Sequence, residues 1–379
     1  MDFQFTEEQT LIQDMARQFA KSELAPHSAR WDEEKALDRA VFNKAAELGF
    51  MGIYTGEEHG GTALSRLDSA LVFEQLAAGD VSHTAMMTIH NMATWMIDRY
   101  GDEALRAKYV PKLTAGEFIA SYCLTEPGAG SDAASLSTKA VLDGDSYVLN
   151  GSKTFISGAG WSDIYVVMAR TSDDGAKGIS CFAVENGTSG LSFGANEKKM
   201  GWNAQPTAQV IFEDCRIPAS NRVGGEGEGF RFAMSGLDGG RVNIGACSLG
   251  GAQKALDAAL GYTKERKQFG RAVSEFQNTQ FMLADMATEL EASRLMLYRA
   301  ADMVDKKLPN AGQACAMAKR FATDMCSKIA NDALQLHGGY GYLKDYEIEQ
   351  IVRDLRVHQI LEGTNQIMRV IISRGLLRQ

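Results

Sequence analysis

A single carboxylate, Glu362, sits in the string Ile360-Leu361-Glu362-Gly363-Thr364-Asn365-Gln366, between an apolar stretch and a Gly-Thr break. Beyond the break, Ile367-Met368-Arg369-Val370-Ile371-Ile372 resumes a helical pattern. Gly363 frees the backbone to turn, and Thr364 is suited to cap the new helix, whose first amides are left as free donors. Apolar surroundings disfavour the charged form of a carboxyl group. Its pKa then rises toward the range a general base needs near neutral pH. The competing reading is a solvated glutamate at a helix end, the commoner fate of this residue type.

A second string with chemical content is Gly128-Ala129-Gly130-Ser131-Asp132-Ala133, which satisfies the G-x-G-x-x-G/A expression of dinucleotide-binding turns. Its context excludes that role. Such a turn leaves a buried parallel strand and opens a helix, whereas Glu126-Pro127 precedes these glycines and a strand-rich region follows. What remains is close backbone approach at Gly128 and Gly130, with the Ser131 hydroxyl as a donor to a phosphate or flavin oxygen. The six cysteines (Cys123, Cys181, Cys215, Cys247, Cys315, Cys326) include no C-x-x-C pair and read as structural thiols in a reducing compartment.

These groups need scaffolding, and 379 residues suffice for two or three domains. The fold class expected is α+β and mostly α. It comprises an all-α domain over 1–118, a small β-barrel or sandwich over 119–225, and a four-helix bundle over 226–379. Thr6-Glu7-Glu8-Gln9 reads as a capping box before the face Leu11, Ile12, Met15, Phe19. Further helices fall near 38–48, 67–78, 82–99 and 102–115, with stops at Gly49 and Gly79. Lys139-Ala140-Val141-Leu142, Asp143-Gly144-Asp145 and Tyr147-Val148-Leu149 form a hairpin, and strands follow at 164–168, 179–184 and 209–212. A formal charge of −9, with acids and bases interspersed, argues against nucleic acid or an anionic membrane as the main partner, and no apolar run reaches spanning length. A folded element from residue 6 is expected to leave no room for a targeting peptide, giving a cytoplasmic protein or a mature mitochondrial form.

At this point the chain resembles a known family. Tyr122-Cys123-Leu124-Thr125-Glu126-Pro127-Gly128-Ala129-Gly130-Ser131-Asp132 is similar to the first signature of the acyl-CoA dehydrogenase family of flavoenzymes. Gln335-Leu336-His337-Gly338-Gly339-Tyr340-Gly341-Tyr342 resembles the start of the second, which continues through Arg353-Asp354 to the Glu362 segment. Arg266-Lys267-Gln268-Phe269-Gly270 is also typical, and the match runs in order over the whole chain. Two strings, Ile89-His90-Asn91-Met92 and Arg356-Val357-His358-Gln359-Ile360-Leu361-Glu362-Gly363, are similar to the branch acting on short branched acyl-CoA thioesters, isobutyryl-CoA foremost.

The resemblance implies FAD between the barrel and the C-terminal bundle, with no metal. Tyr122, Leu124, Thr125, Gly130 and Ser131 would line the flavin, Thr125 bonding to it, and Phe155, Ile156 and Ser157 would form the opposite wall. Without the resemblance, Phe155 reads equally well as a core residue. Arg266 would meet the pyrophosphate, with Phe269, Phe276 and Gln277 also at the cofactor. Gln335, Leu336, His337, Gly338 and Gly339 would approach from a neighbouring subunit of a homotetramer, although the two glycines alone read as a helix stop. Thr364, Asn365 and Gln366 would add contacts at a helix start. Ser131, Asp238, Gly239, Gly240, Arg241 and Arg374 would hold the CoA portion, with a surface arginine as the other reading of Arg374.

Glu362 would remove the α-proton of the thioester while the β-hydrogen leaves as hydride to flavin, and electron-transferring flavoprotein would take the electrons. Some relatives carry the base at the position matched here by Gly240, so Glu362 is the implied base of this chain. A straight short-chain or 2-methylbutyryl thioester is the nearest alternative substrate. An oxidase or flavin monooxygenase on the same scaffold, and a non-catalytic binding protein, are the readings from other classes.

Overall fold

The change of texture along the sequence becomes three packed regions in the computed structural model, which describes residues 4–377. Residues 1–3 and 378–379 of the expected end domains lie outside them. The first region holds α1 (Glu7–Phe19), α2 (Ser28–Glu34), α3 (Arg39–Glu47), α4 (Arg66–Gly79), α5 (Val81–Tyr100) and α6 (Glu103–Thr114). Polar caps set where these helices begin. Gln9 N donates to Thr6 Oγ1 at 3.1 Å in the expected capping box, Ser65 caps α4 in a second box, and the Asp38, Asp80 and Asp102 side chains accept from first-turn amides of α3, α5 and α6. Gly49, at φ +77°, follows α3 as a stop. Gly79 has another reason. It is the last residue of α4, and a Cβ there would lie 2.8 Å from Ala20 O in the π-helical turn Ala20–Leu24, which the sequence pattern did not reveal.

The middle region is one eight-stranded sheet of β1 (Ala120–Cys123), β2 (Lys139–Asp143), β3 (Ser146–Ser157), β4 (Ile164–Arg170), β5 (Ile179–Glu185), β6 (Leu191–Phe193), β7 (Thr207–Pro218) and β8 (Arg222–Val223). Its order is β6-β7-β3-β2-β4-β5-β8, with β1 parallel to β4. The expected hairpin is β2–β3, in register from Lys139↔Asn150 to Asp143↔Ser146. The sheet curls on itself. Tyr147 of β3 meets Phe182 of β5 at 4.8 Å between ring centroids, and Arg222 of β8 donates to Tyr147 Oη at 2.9 Å. Alternate β4 residues therefore face two cores: Tyr165, Val167 and Ala169 point into the curled sheet, while Ile164, Val166 and Met168 pack with Ile97 and Leu105 of the first region.

The third region comprises α7 (Gly229–Glu265), the two-residue strands β9 (Lys267–Gln268) and β10 (Arg271–Ala272), α8 (Gln277–Asp305), α9 (Ala311–His337), α10 (Ile348–Arg356) and α11 (Asn365–Leu377). One apolar cluster joins Val242, Ala246 and Leu249 of α7, Leu290 and Leu297 of α8 and Ala318 and Ala330 of α9 with Ala70, Phe73 and Leu76 of α4, so the two helical regions share a core. No helix among the described residues is long and apolar enough to cross a membrane.

Candidate active site

Glu362 stands on the turn that joins α10 to α11. Glu362 and Gly363 both adopt left-handed backbone, at φ +56° and +84°. Thr364 closes the turn, accepting from Ile367 N at 3.2 Å as the cap of α11. The side chain lies against α7 at Gly240, where an added Cβ would stand 2.5 Å from Oε2 and 2.9 Å from Cδ. Oε2 is buried and has no hydrogen-bond partner, and no partner is found for the Glu362 N–H among the described residues. Burial pushes the pKa up to about 7, and the nearby cations Arg241 and Lys319 oppose this only in part. A carboxylate with a buried, unpaired oxygen that takes up a proton near neutrality has the properties of a general base.

Around it, Arg241 Nε reaches Glu362 O at 3.5 Å while Arg241 Nη1 donates to Asp238 Oδ1 at 2.5 Å. The expected substrate set Asp238, Gly239, Gly240 and Arg241 thus stays together beside Glu362, on one turn of α7. Gly239 abuts Arg66, whose Nη1 is buried without a partner and whose guanidinium stacks 3.5 Å over the Tyr54 ring. Arg374 is exposed in the last turn of α11.

The 122–131 segment leaves β1 and passes the same region. Tyr122 Oη is buried and unpartnered, and burial, with the Glu362 charge nearby, raises its pKa well above the ordinary phenol range. Past Leu124, whose side chain is buried in the core, Thr125 O accepts from Thr154 N at 2.9 Å, tying the loop to β3. Gly128 and Gly130 face open space and Ser131 is exposed. Opposite, β3 bulges against β7 between Lys153 and Ile156, which places Phe155 at φ +58° and leaves it 67% exposed. Ile156 turns inward and is buried, so only its main chain can serve a ligand, and Ser157 O accepts from Ser121 Oγ at 2.5 Å. Sequence reasoning missed what shapes this loop. Glu126 accepts from Ser137 N, Thr138 N and the fully buried Lys153 Nζ, at 2.6, 2.9 and 2.7 Å. Burial opposes the Glu126 charge, but Lys153 and these donors outweigh it, and the pKa falls to about 2. Twenty-seven residues separate that pair, and no local pattern signals it.

A second group of predicted residues assembles elsewhere. Arg266, Gln268, Gln335, Leu336, His337, Gly338 and Gly339 line one cavity of about 380 Å³, together with Tyr262 and Tyr340. Arg266 lies over the Tyr340 ring, and the His337 ring stacks on Tyr262. Gly338, at φ +60°, ends α9. Phe269 and Gly270, both in left-handed backbone, turn β9 into β10 and leave Phe269 95% exposed above Phe276, next to Gln277 at the start of α8. Neither Glu362 nor any residue of 122–131 lines this cavity. Asn365 is buried, while Gln366 is exposed on α11. The cysteines are all buried and unbridged, and burial pushes Cys123 and Cys315 up to about 12, which makes them inert thiols.

An open glycine loop, an orphaned buried phenol and an exposed aromatic held opposite them suit a flat ring with polar edges. The family models for the N-terminal, middle and C-terminal domains of acyl-CoA dehydrogenase match residues 6–117, 121–215 and 227–377. The chain belongs to the acyl-CoA dehydrogenase family, and is an FAD-dependent oxidoreductase of acyl-CoA thioesters. It is 58% identical over 372 residues to the mitochondrial isobutyryl-CoA dehydrogenase of Dictyostelium discoideum, covering 98% of this chain and 89% of that one. Its fold superimposes on butyryl-CoA dehydrogenase from Megasphaera elsdenii with a TM-score of 0.97 at 37% identity, over 100% of both chains. A chain from a structure described as electron transferring flavoprotein of Acidaminococcus fermentans matches with a TM-score of 0.98 at 45% identity, again over 100% of both.

Proposed function

We propose that this chain oxidises isobutyryl-CoA to methacrylyl-CoA, with Glu362 as the base. One observation carries the assignment of the base: Oε2 of Glu362 is buried and unpartnered in the space that Gly240 leaves open. The carboxylate takes the α-proton, and the C–H electron pair becomes the 2,3-double bond as the β-hydrogen departs with its own pair. Bound FAD supplies the acceptor for that hydride. The free Glu362 N–H is a donor suited to the thioester oxygen, where charge grows as the α-proton leaves. Tyr122, Thr125, Gly130, Ser131, Phe155 and the main chain at 156–157 would hold the isoalloxazine. Arg241 and Asp238 would hold the thioester's CoA arm, with Arg374 farther out.

A short acyl group is favoured by the packing one turn before Gly240. A Cβ at Gly236 would lie 3.2 Å from Met96 Sδ and 3.6 Å from Met92 Cγ, so methionine fills that face of α7. The 58% identity to an isobutyryl-CoA dehydrogenase supports the branched C4 substrate and the place of the reaction in valine breakdown. Because Arg266 and Gln335–Gly339 share a cavity apart from the base, they would serve the pyrophosphate end of FAD together, as one contribution to a neighbouring subunit of a homotetramer. The likeness to the Acidaminococcus chain supports electron-transferring flavoprotein as the oxidant. Mitochondrial relatives support a mitochondrial matrix setting if the source is eukaryotic, and otherwise a cytoplasmic one.

Anaerobic addition of isobutyryl-, butyryl- and 2-methylbutyryl-CoA, followed by flavin absorbance, tests the substrate. Fastest bleaching and highest kcat/KM with isobutyryl-CoA are expected, and a clear win for either rival overturns the choice.

A further inference from the structure

The turn that carries the base is strained, and something has to hold it. A non-glycine residue at the φ of Glu362 costs about 1–2 kcal/mol, and such conformations persist only where surrounding contacts over-determine them. The side chain gives no anchorage, since Oε2 is unpartnered. The hold must therefore come through the backbone. Arg241 touches Glu362 O from α7, at a long 3.5 Å. The short contact comes from α9, where Lys319 Nζ donates to Gly363 O at 2.8 Å and to Asn365 Oδ1 at 3.0 Å. Asn365 is itself fixed, its amide donating to Thr323 Oγ1 at 2.9 Å and Asp324 Oδ1 at 2.7 Å.

Lys319 is wholly buried and forms no ion pair among the described residues. A buried ammonium without a carboxylate partner is costly, so its presence calls for a reason. We propose that Lys319 is a positioning residue for the reaction: it clamps the carbonyl after the base and the first residue of α11, fixing where the Glu362 carboxylate points. This rests on the reading of Glu362 as the base and adds the group that aims it. The ammonium also faces the carboxylate electrostatically. The other charged or titratable groups around Glu362 are Arg241 on α7, Tyr54 and Tyr122, while Asp324 on α9 and the neutral His358 face Lys319. Removing the cation leaves a carboxylate that is harder to ionise.

The test uses the FAD-loaded enzyme with Lys319→Met and Lys319→Gln, the second keeping a donor without the charge. Proton removal is read as deuterium wash-in at the α-carbon of acetyl-CoA, which has no β-hydrogen to surrender. FAD content, melting temperature and the pH profile of kcat accompany it. Wash-in and kcat should fall about 100-fold in Lys319→Met with KM little changed, as expected for a displaced base. Lys319→Gln should lie between Lys319→Met and the native enzyme, and the acid limb of kcat should rise by about one pH unit in both variants. Native wash-in and an unmoved acid limb in Lys319→Met overturn the proposal, whatever happens to the melting temperature. If Lys319→Met does not fold, Lys319→Gln decides by the same two readouts. Glu362→Gln run alongside separates the premises: exchange surviving there sinks the base, whereas loss there with native Lys319 variants sinks only the clamp.

Discussion

Gly240→Ala is the sharpest perturbation the site offers. The added methyl would stand 2.5 Å from Glu362 Oε2, 0.9 Å inside the 3.4 Å at which ordinary contact begins. The clashing atoms are the free end of a side chain, so the fold can yield there without moving backbone. Stability should change little, by less than about 1 kcal/mol. Catalysis should not be so forgiving, because a displacement of about 1 Å in a reacting group costs about 100-fold in rate. The assay is single-turnover reduction of the bound flavin by isobutyryl-CoA without oxygen, with FAD content and melting temperature as controls. The expected result is full FAD, a nearly native melting temperature and bleaching slowed about 100-fold. A native bleaching rate in Gly240→Ala would refute the reasoning, since the carboxylate could not then be confined to the place that does the chemistry.

Glu362→Gln should keep its FAD yet fail to bleach with any acyl-CoA, and normal bleaching would remove Glu362 from the mechanism. In the native enzyme, kcat/KM should rise with pH through about 7 as Glu362 loses its proton, and a limb near the ordinary carboxylate range would contradict its burial. Asp354 is fully buried and burial pushes its pKa up to about 8. A raised folded-state pKa means that its contribution to stability is present below the unfolded value and is lost as pH climbs through about 8. Asp354→Asn should therefore gain on the native protein in melting temperature between about pH 5 and pH 8 and no further above that, and a constant difference across that range would argue against a protonated Asp354.

Local patterns in the sequence carried much of this architecture. The helices α3 to α6 begin at Asp and Ser caps, and the β2–β3 hairpin turns at Asp-Gly-Asp, because both signals depend on residues within one turn of each other. Glu362 was visible for the same reason, as a carboxylate beside a glycine and a cap. What stayed hidden depends on distance along the chain. Lys319 reads as one more polar residue in the amphipathic helix α9, and only the fold brings it 44 residues forward to Gly363. Lys153 and Glu126, and Arg66 against Gly239, are hidden in the same way. Phe155 could be core or cofactor wall by composition, and a bulge in β3 decides which way it points. The cavity of Arg266 and Gln335–Gly339 joins the end of α7 to the end of α9, which no window along the chain spans.

The contact between Gly240 and the Glu362 carboxylate has a consequence for how such a centre can change hands over generations. One point in space is within reach of two distant stretches of the gene, a rigid helix and a bent connector. An acidic group could therefore be rehoused from one to the other with the same cleft around it. The two addresses are not equivalent, because a carboxylate issuing from α7 would inherit the stiffness of a long helix. The present one depends on a connector whose shape a single buried amine helps to keep.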